Sequence, residues 1–282
     1  MKKILILLTS SFFLFTLFAQ NATAQEESTP VSGTFETNTL IDNQTIESPY
    51  KGGLQLQIQH RFSNIENYHN LYGIYGSANT RLALNYGITD RIMIGIGTEK
   101  DYKSQDIQWK YAILRQTEDG KVPVSLSYFG NIVIDLRSKD NFGPEASFKE
   151  IHRLSYFTQL IVARKFTDKI SAQIAPSFIY YNSVPIYSDV SGYKNVNFGL
   201  SAGARANLFG NHSLLLEYDQ LLTKQDLDTQ PKPNISFGWE INTATHTFQI
   251  FAANYNSIIN QRNLVFNTNS KYLIGFNITV RF

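Results

Sequence analysis

Residues 81–99 read RLALNYGITDRIMIGIGTE. Leu82, Leu84 and Tyr86 alternate with Arg81, Ala83 and Asn85; beyond Thr89-Asp90, Ile92, Ile94 and Ile96 alternate with Arg91, Met93, Gly95, Gly97 and Glu99. A period of two places each set on one face of a strand, and so short a link joins two strands only as an antiparallel hairpin. One face of that hairpin is aliphatic and aromatic. The other carries charge, amide and glycine.

The same alternation recurs along the chain, at 52–62, 77–88, 105–116, 122–136, 151–166, 169–182, 193–207, 211–221, 233–241, 246–254 and 271–282. Together with 90–100 this predicts about 12 strands, each near the length a tilted membrane strand requires. The stretch 122–136 keeps one register for longer than the five or six residues usual in a globular strand. The closing stretch, GFNITVRF (275–282), sets Phe276, Ile278, Val280 and Phe282 on a single face.

The links between strands decide the topology. Those at 89–90, 117–121, 167–168, 208–210 and 242–245 are tight, while those at 63–76, 137–150, 183–192, 222–232 and 255–270 are long. Tight and long alternate, with one exception at 101–104. Alternate links of an up-and-down barrel lie at the same end, so one end carries turns and the other loops, the outer-membrane pattern. The prediction is therefore all-β: a closed antiparallel up-and-down transmembrane β-barrel with both termini at the turn end. A soluble sandwich would need a charge-rich outer face, whereas only 17% of residues here are charged and the chain holds 16 Tyr and 20 Phe.

Three segments are expected. Residues 1–24 have Lys2 and Lys3, an apolar run from Ile4 to Ala19 and Ala22-Thr23-Ala24, the features of a cleaved export signal. Residues 25–51 are a periplasmic arm or a plug entering the barrel, with a possible short strand at Thr34–Ile41, and residues 52–282 form the barrel. There is no cysteine, hence no disulfide or thiolate metal site. Removal of Lys2 and Lys3 with the leader leaves the mature chain near neutral, which argues against a nucleic-acid partner. The expected address is the cell outer membrane of a Gram-negative bacterium.

From about Gly33 to Gln116 the chain resembles a family of uncharacterised outer-membrane barrels of Bacteroidetes-type bacteria, a domain of unknown function. LQIQHRF (56–62), LYGIYGSANTRLALNYGITDRIMIGIG (71–97) and WKYAILRQ (109–116) carry the likeness. The resemblance implies the fold and the address. It brings no activity and no catalytic residues.

On the polar face, Arg61, Arg81, Arg91, Glu99, Lys110, Asp135, Arg153, Arg205, Glu217 and Glu240 are the lumen-lining candidates, with Lys165, Asp219 and Arg281 beside them. Such residues either pair across a narrow lumen and fill it, or line a small aqueous channel. Arg61, Arg81 and Lys110, if clustered near the loops, would favour anions. The functions carried forward are a narrow pore or passive solute channel (porin-like), a closed structural or partner-binding barrel acting through its external loops, and a lipid-acting barrel enzyme. The last rests on His60 alone. No His has a Ser two places on, no residue is clearly placed to orient His60, and an interfacial His beside Phe62 is the simpler reading, so neither catalytic residue, metal nor cofactor is expected. The expected partners are outer-membrane lipid, small solutes and the outer-membrane assembly machinery. That machinery would meet the C-terminal strand, where Phe282 resembles the terminal aromatic of the barrel class.

Overall fold

The computed structural model describes residues 28–66, 68–142, 147–184 and 192–282; the export signal lies outside them. Twelve strands among these residues close into one antiparallel barrel in which each strand pairs with its sequence neighbours and the first with the last. They are β1 (Leu54–Asn64), β2 (Asn79–Gly87), β3 (Ile92–Glu99), β4 (Ser104–Leu114), β5 (Ser125–Asp135), β6 (Leu154–Lys165), β7 (Ile170–Tyr181), β8 (Val196–Phe209), β9 (His212–Leu221), β10 (Asn234–Asn242), β11 (His246–Ala253) and β12 (Leu273–Arg281). Closure runs from Gln55 opposite Arg281 to Arg61 opposite Gly275, so no ladder edge is left for lipid to meet unpaired. No described helix is long and apolar enough to cross a membrane.

Side chains alternate as the period-two pattern demands. Outward are residues such as Ile96 (60% exposed) and Ile250 (64%), while inward Gln57, Asn85, Gln108 and Ser236 are buried. Connections 88–91, 115–124, 166–169, 210–211 and 243–245 form a turn rim, and the other six, among them the four-residue exception at 100–103, form a loop rim. Phe282, just past β12, lies exposed at the turn rim, where it exchanges backbone hydrogen bonds with Leu54.

Strand ends differ from the periodic reading where turn chemistry intervenes. β5 starts at Ser125, not at 122. Val122 closes a turn with Thr117, and Pro123 has no N–H for the ladder. A short 3₁₀ turn over Glu150–Arg153 delays β6 to Leu154. Ile88 and Thr89 both donate to the Ile92 carbonyl, which leaves Arg91 in a turn.

The interior is filled. Residues 29–31 pair with the 116–118 turn at the turn rim: Val31 donates to the Gln116 carbonyl, Glu118 to that of Thr29, and the Ser28 hydroxyl to Asp119. Hydrogen bonds from Thr117, Lys121 and Ser28 hold the Asp119 carboxyl below its ordinary value. The chain then turns inward, and residues 34 and 35 and 37–45 are buried. Here Thr39 bridges Gln44, Thr45 donates to Asn38 and Leu40 to Asn43, which makes a hairpin with its tip at Leu40–Asn43. From the loop rim, connection 254–272 folds in and carries a helix, α1 (Asn260–Phe266), with Gln261 to Val265 all buried.

Candidate functional site

The hairpin contacts wall residues around most of the circumference, which is possible only near the barrel axis. The Gln57 amide on β1 donates to the Asn38 and Thr39 side chains at 2.6 and 2.8 Å. The Lys110 ammonium on β4 donates to the Asn38 and Glu47 carbonyls at 3.1 and 2.7 Å. On the opposite side Gln173 of β7 reaches the Gln44 carbonyl, and Arg205 of β8 is clamped between Glu36 and Glu240.

The tip carries the densest set of contacts. Backbone N–H groups of Ile41, Asp42 and Asn43 all converge on the Glu217 carboxylate, at 2.8, 3.1 and 3.0 Å. Successive N–H groups aimed at one carboxylate form an anion cradle. Here the cradle belongs to the plug and the anion to the wall. On the other side of the tip, Asp42 accepts from Arg61 at 2.6 Å, and the Asn43 amide donates to Asp219 at 2.7 Å.

The α1 loop is held the same way. Ile258 N–H donates to Glu99, Arg262 pairs with Asp135, and the Gln261 amide donates to Asn131 and Ser155. Its apolar side, Leu264 and Val265, packs on inward Phe129, Phe157, Ile161 and Ile179. Leu40 and Ile41 likewise belong to a cluster with Leu215 and Phe251. The polar face of the strands thus includes apolar residues, and they lie where plug and helix cover them. Asn260 links the two inserts through the Asp42 carbonyl at 3.1 Å. Between tip and α1 lies a cavity of about 10 Å³, room for about one water.

Of the predicted lumen residues, Arg61, Arg81, Glu99, Lys110, Asp135, Arg205, Glu217 and Glu240 are buried inside the barrel. Arg81 makes a two-pronged contact with Asp106 at 2.7 and 2.9 Å, and the inward backbone beside it must be bare: a Cβ on Gly97 would lie 2.4 Å from that carboxylate. Arg91 and Arg153 lie instead at the rims. Arg91, in the 88–91 turn, donates to the Ala112 and Ile113 carbonyls at the end of β4, and Arg153 pairs with Glu150 among the loops. Arg61, Arg81 and Lys110 do not share one level either, because Lys110 is opposite Met93, close to the turn rim. His60 is half-buried on the outer wall, stacked on Phe276 with ring centroids 4.9 Å apart, and its Nδ1 has no hydrogen-bond partner. The residues missed in the sequence are those of the inserts: Glu36, Asp42, Glu47 and Arg262.

A family model described as "Membrane bound beta barrel domain (DUF5777)" matches residues 35–282. The chain belongs to that family. The match begins at Phe35, so the family domain spans the hairpin as well as the wall. No curated protein matches the sequence. Among solved structures, an outer membrane channel from Pseudomonas putida F1 aligns with TM-score 0.52 at 11% identity, over 88% of this chain and 100% of the other. The NanC porin aligns with TM-score 0.50 at 10% identity, over 81% and 98%. A KdgM porin in complex with disordered oligogalacturonate gives 0.50 at 8%, over 81% and 99%. At such identities these likenesses show a shared β-barrel fold, and the family description makes the barrel a membrane-bound one.

Proposed function

We propose that this DUF5777 barrel is a narrow outer-membrane channel that rests closed, with residues 34–48 as a plug entered from the periplasmic turn rim and α1 as a second stop from the external loop rim. The observation that carries the reading is how the plug is held. Hydrogen bonds and ion pairs to a polar wall dominate its contacts, and each can be exchanged for water without rebuilding the barrel. Fold-level likeness to porins and channels supports it. The chain would be exported by residues 1–24 and assembled through its C-terminal strand, Phe282 presenting the terminal aromatic at the periplasmic rim.

The test is planar-bilayer conductance of the purified full chain. A channel plugged in this way gives a closed baseline with brief openings whose frequency rises when plug contacts are weakened. Silence at every voltage, from the natural chain and from a plug-weakened variant alike, refutes the channel. That result would favour the second reading, a closed barrel acting through its loops, for which exposed Tyr68, Tyr72 and Tyr75 on connection 65–78 provide the surface.

A further inference from the structure

Asp42 touches two opposed groups of the lumen wall at once. Its own N–H donates to the Glu217 carboxylate at 3.1 Å and its own carboxylate accepts from the Arg61 guanidinium at 2.6 Å. The wall therefore holds a buried anion and a buried cation separated by the span of one residue, nitrogen to carboxylate across two carbons. One further donor stands on the Arg61 side, the Gln59 amide at 3.3 Å from the same carboxylate oxygen, and the Asn277 side-chain oxygen accepts from Arg61 at 3.0 Å. On the Glu217 side the companion is the second carboxylate, Asp219, which accepts from Asn43.

The plug satisfies this pair incompletely. Arg61 Nε and Asp42 Oδ2 are buried and neither has a hydrogen-bond partner, so the contact has one prong where a guanidinium and a carboxylate can make two. The hairpin fixes Asp42 through its neighbours' contacts to Glu217 and Asp219, and the carboxylate is not free to swing. The Phe251 ring, 4.3 Å from the guanidinium carbon, holds the cation's plane in turn. A small untethered solute bearing the same two charges could form the second prong and offer Glu217 a full ammonium in place of peptide N–H groups.

We propose that the Arg61–Glu217 pair is a binding site for small zwitterionic solutes of the amino-acid type, which the plug tip occupies as an internal mimic and which compete with it. The proposal deepens the channel reading and rests on it for its role in permeation. The site itself does not depend on conduction. Two buried charges of opposite sign at this spacing accept an ammonium–carboxylate solute and reject a simple anion or cation of equal size, since either would leave one partner buried and uncompensated.

The test is hydrogen exchange at the Ile41–Asn43 amides of the full chain in detergent. β-Alanine, which has the Asp42 nitrogen-to-carboxylate spacing, is compared with an equimolar mixture of propionate and propylammonium. Concentrations of about 0.1–1 M are needed, because a tethered tip competes at an effective concentration of millimolar or above. At ten times its dissociation constant for the undocked site, β-alanine should speed exchange of these amides about tenfold, and the mixture should leave them unchanged. Glu217→Gln should abolish the effect; the natural chain's solute series decides even if that variant does not fold. Equal acceleration by β-alanine and the mixture, or none by either, overturns the site. Bilayer recordings on the same preparation separate the two claims. Tip release without conductance supports the site and removes the channel, whereas conductance with a β-alanine-insensitive tip removes the site and keeps the channel.

Discussion

Leu40→Ala is the sharpest perturbation of the closed state, because Leu40 sits at the plug tip, 1% exposed, in a cluster with Phe35, Ile41, Leu215 and Phe251, and takes no part in the wall's ladders. Its Cδ2 lies 2.8 Å from where a Cβ on Gly203 of β8 would be, so the side chain fills the space that this glycine leaves. Truncating a buried Leu removes its transfer energy and leaves a cavity, together about 2–4 kcal/mol. The loss falls on docking of the hairpin and not on the barrel. At about 1.4 kcal/mol per decade, the undocked fraction should rise about 30- to 700-fold. The assay is the open probability of single channels in planar bilayers, read beside proteolysis of residues 34–48 from the periplasmic side. Heat-modifiable gel mobility should stay that of a folded barrel. A rise of less than about twofold in both readouts, with the barrel intact, would refute the claim that this side chain holds the plug.

Ile96, outward and mid-strand on β3, faces lipid; Ile96→Arg should lower refolding stability in bilayers by about 2–4 kcal/mol, measured by reversible denaturant titration, and an effect near zero would place that face in water. Burial is the main influence on Glu47 and raises its carboxyl above the ordinary 4.5, with the Phe35 N–H and Lys110 pulling it down. The docked plug therefore binds this proton more tightly than the released one, and docking weakens as pH rises from 4.5 through the raised value. Glu47→Gln should flatten that part of the pH dependence of open probability, and an unchanged profile would show that Glu47 does not report docking. Deleting Phe282, which is 63% exposed, should reduce folded barrel in cells far more than refolding yield in detergent; equal losses would make its role purely structural.

The wall was legible because its two faces meet different solvents, so period-two alternation survives from β1 to β12 and fixes inside and outside residue by residue. Turn chemistry is the harder part: Pro123, the Thr89 turn and the 3₁₀ turn over Glu150–Arg153 cut strands that alternation alone extends, and the last two put Arg91 and Arg153 at the rims. The plug was harder again. In TFETNTLIDNQT (34–45), Thr and Asn are buried against wall amides and charges, and the buried apolar residues, Phe35, Leu40 and Ile41, follow no strand or helix period. The other insert leaves a trace in the wall: Phe129, Phe157, Ile161 and Ile179 point inward, where an aqueous lumen would not favour them. Inward apolar residues on a polar face imply something apolar to cover them, here α1. The charge partners followed the same logic. Alternation puts Arg61, Lys110 and Arg205 on the inner face, but only the hairpin's place inside the barrel joins Asp42, Glu47 and Glu36 to them.

A reversible tether tests the central claim, that the chain's own N-terminal hairpin closes the lumen. Asn38 of the plug and Gln57 of the wall are joined side chain to side chain at 2.6 Å, and the natural chain has no cysteine to interfere. In the Asn38→Cys, Gln57→Cys double variant, a short thiol cross-linker applied before planar-bilayer recording should abolish openings, and cleaving the linker with reductant in the same bilayer should restore them. Openings that continue at the same frequency with the tether intact would show that ions do not pass where the hairpin stands.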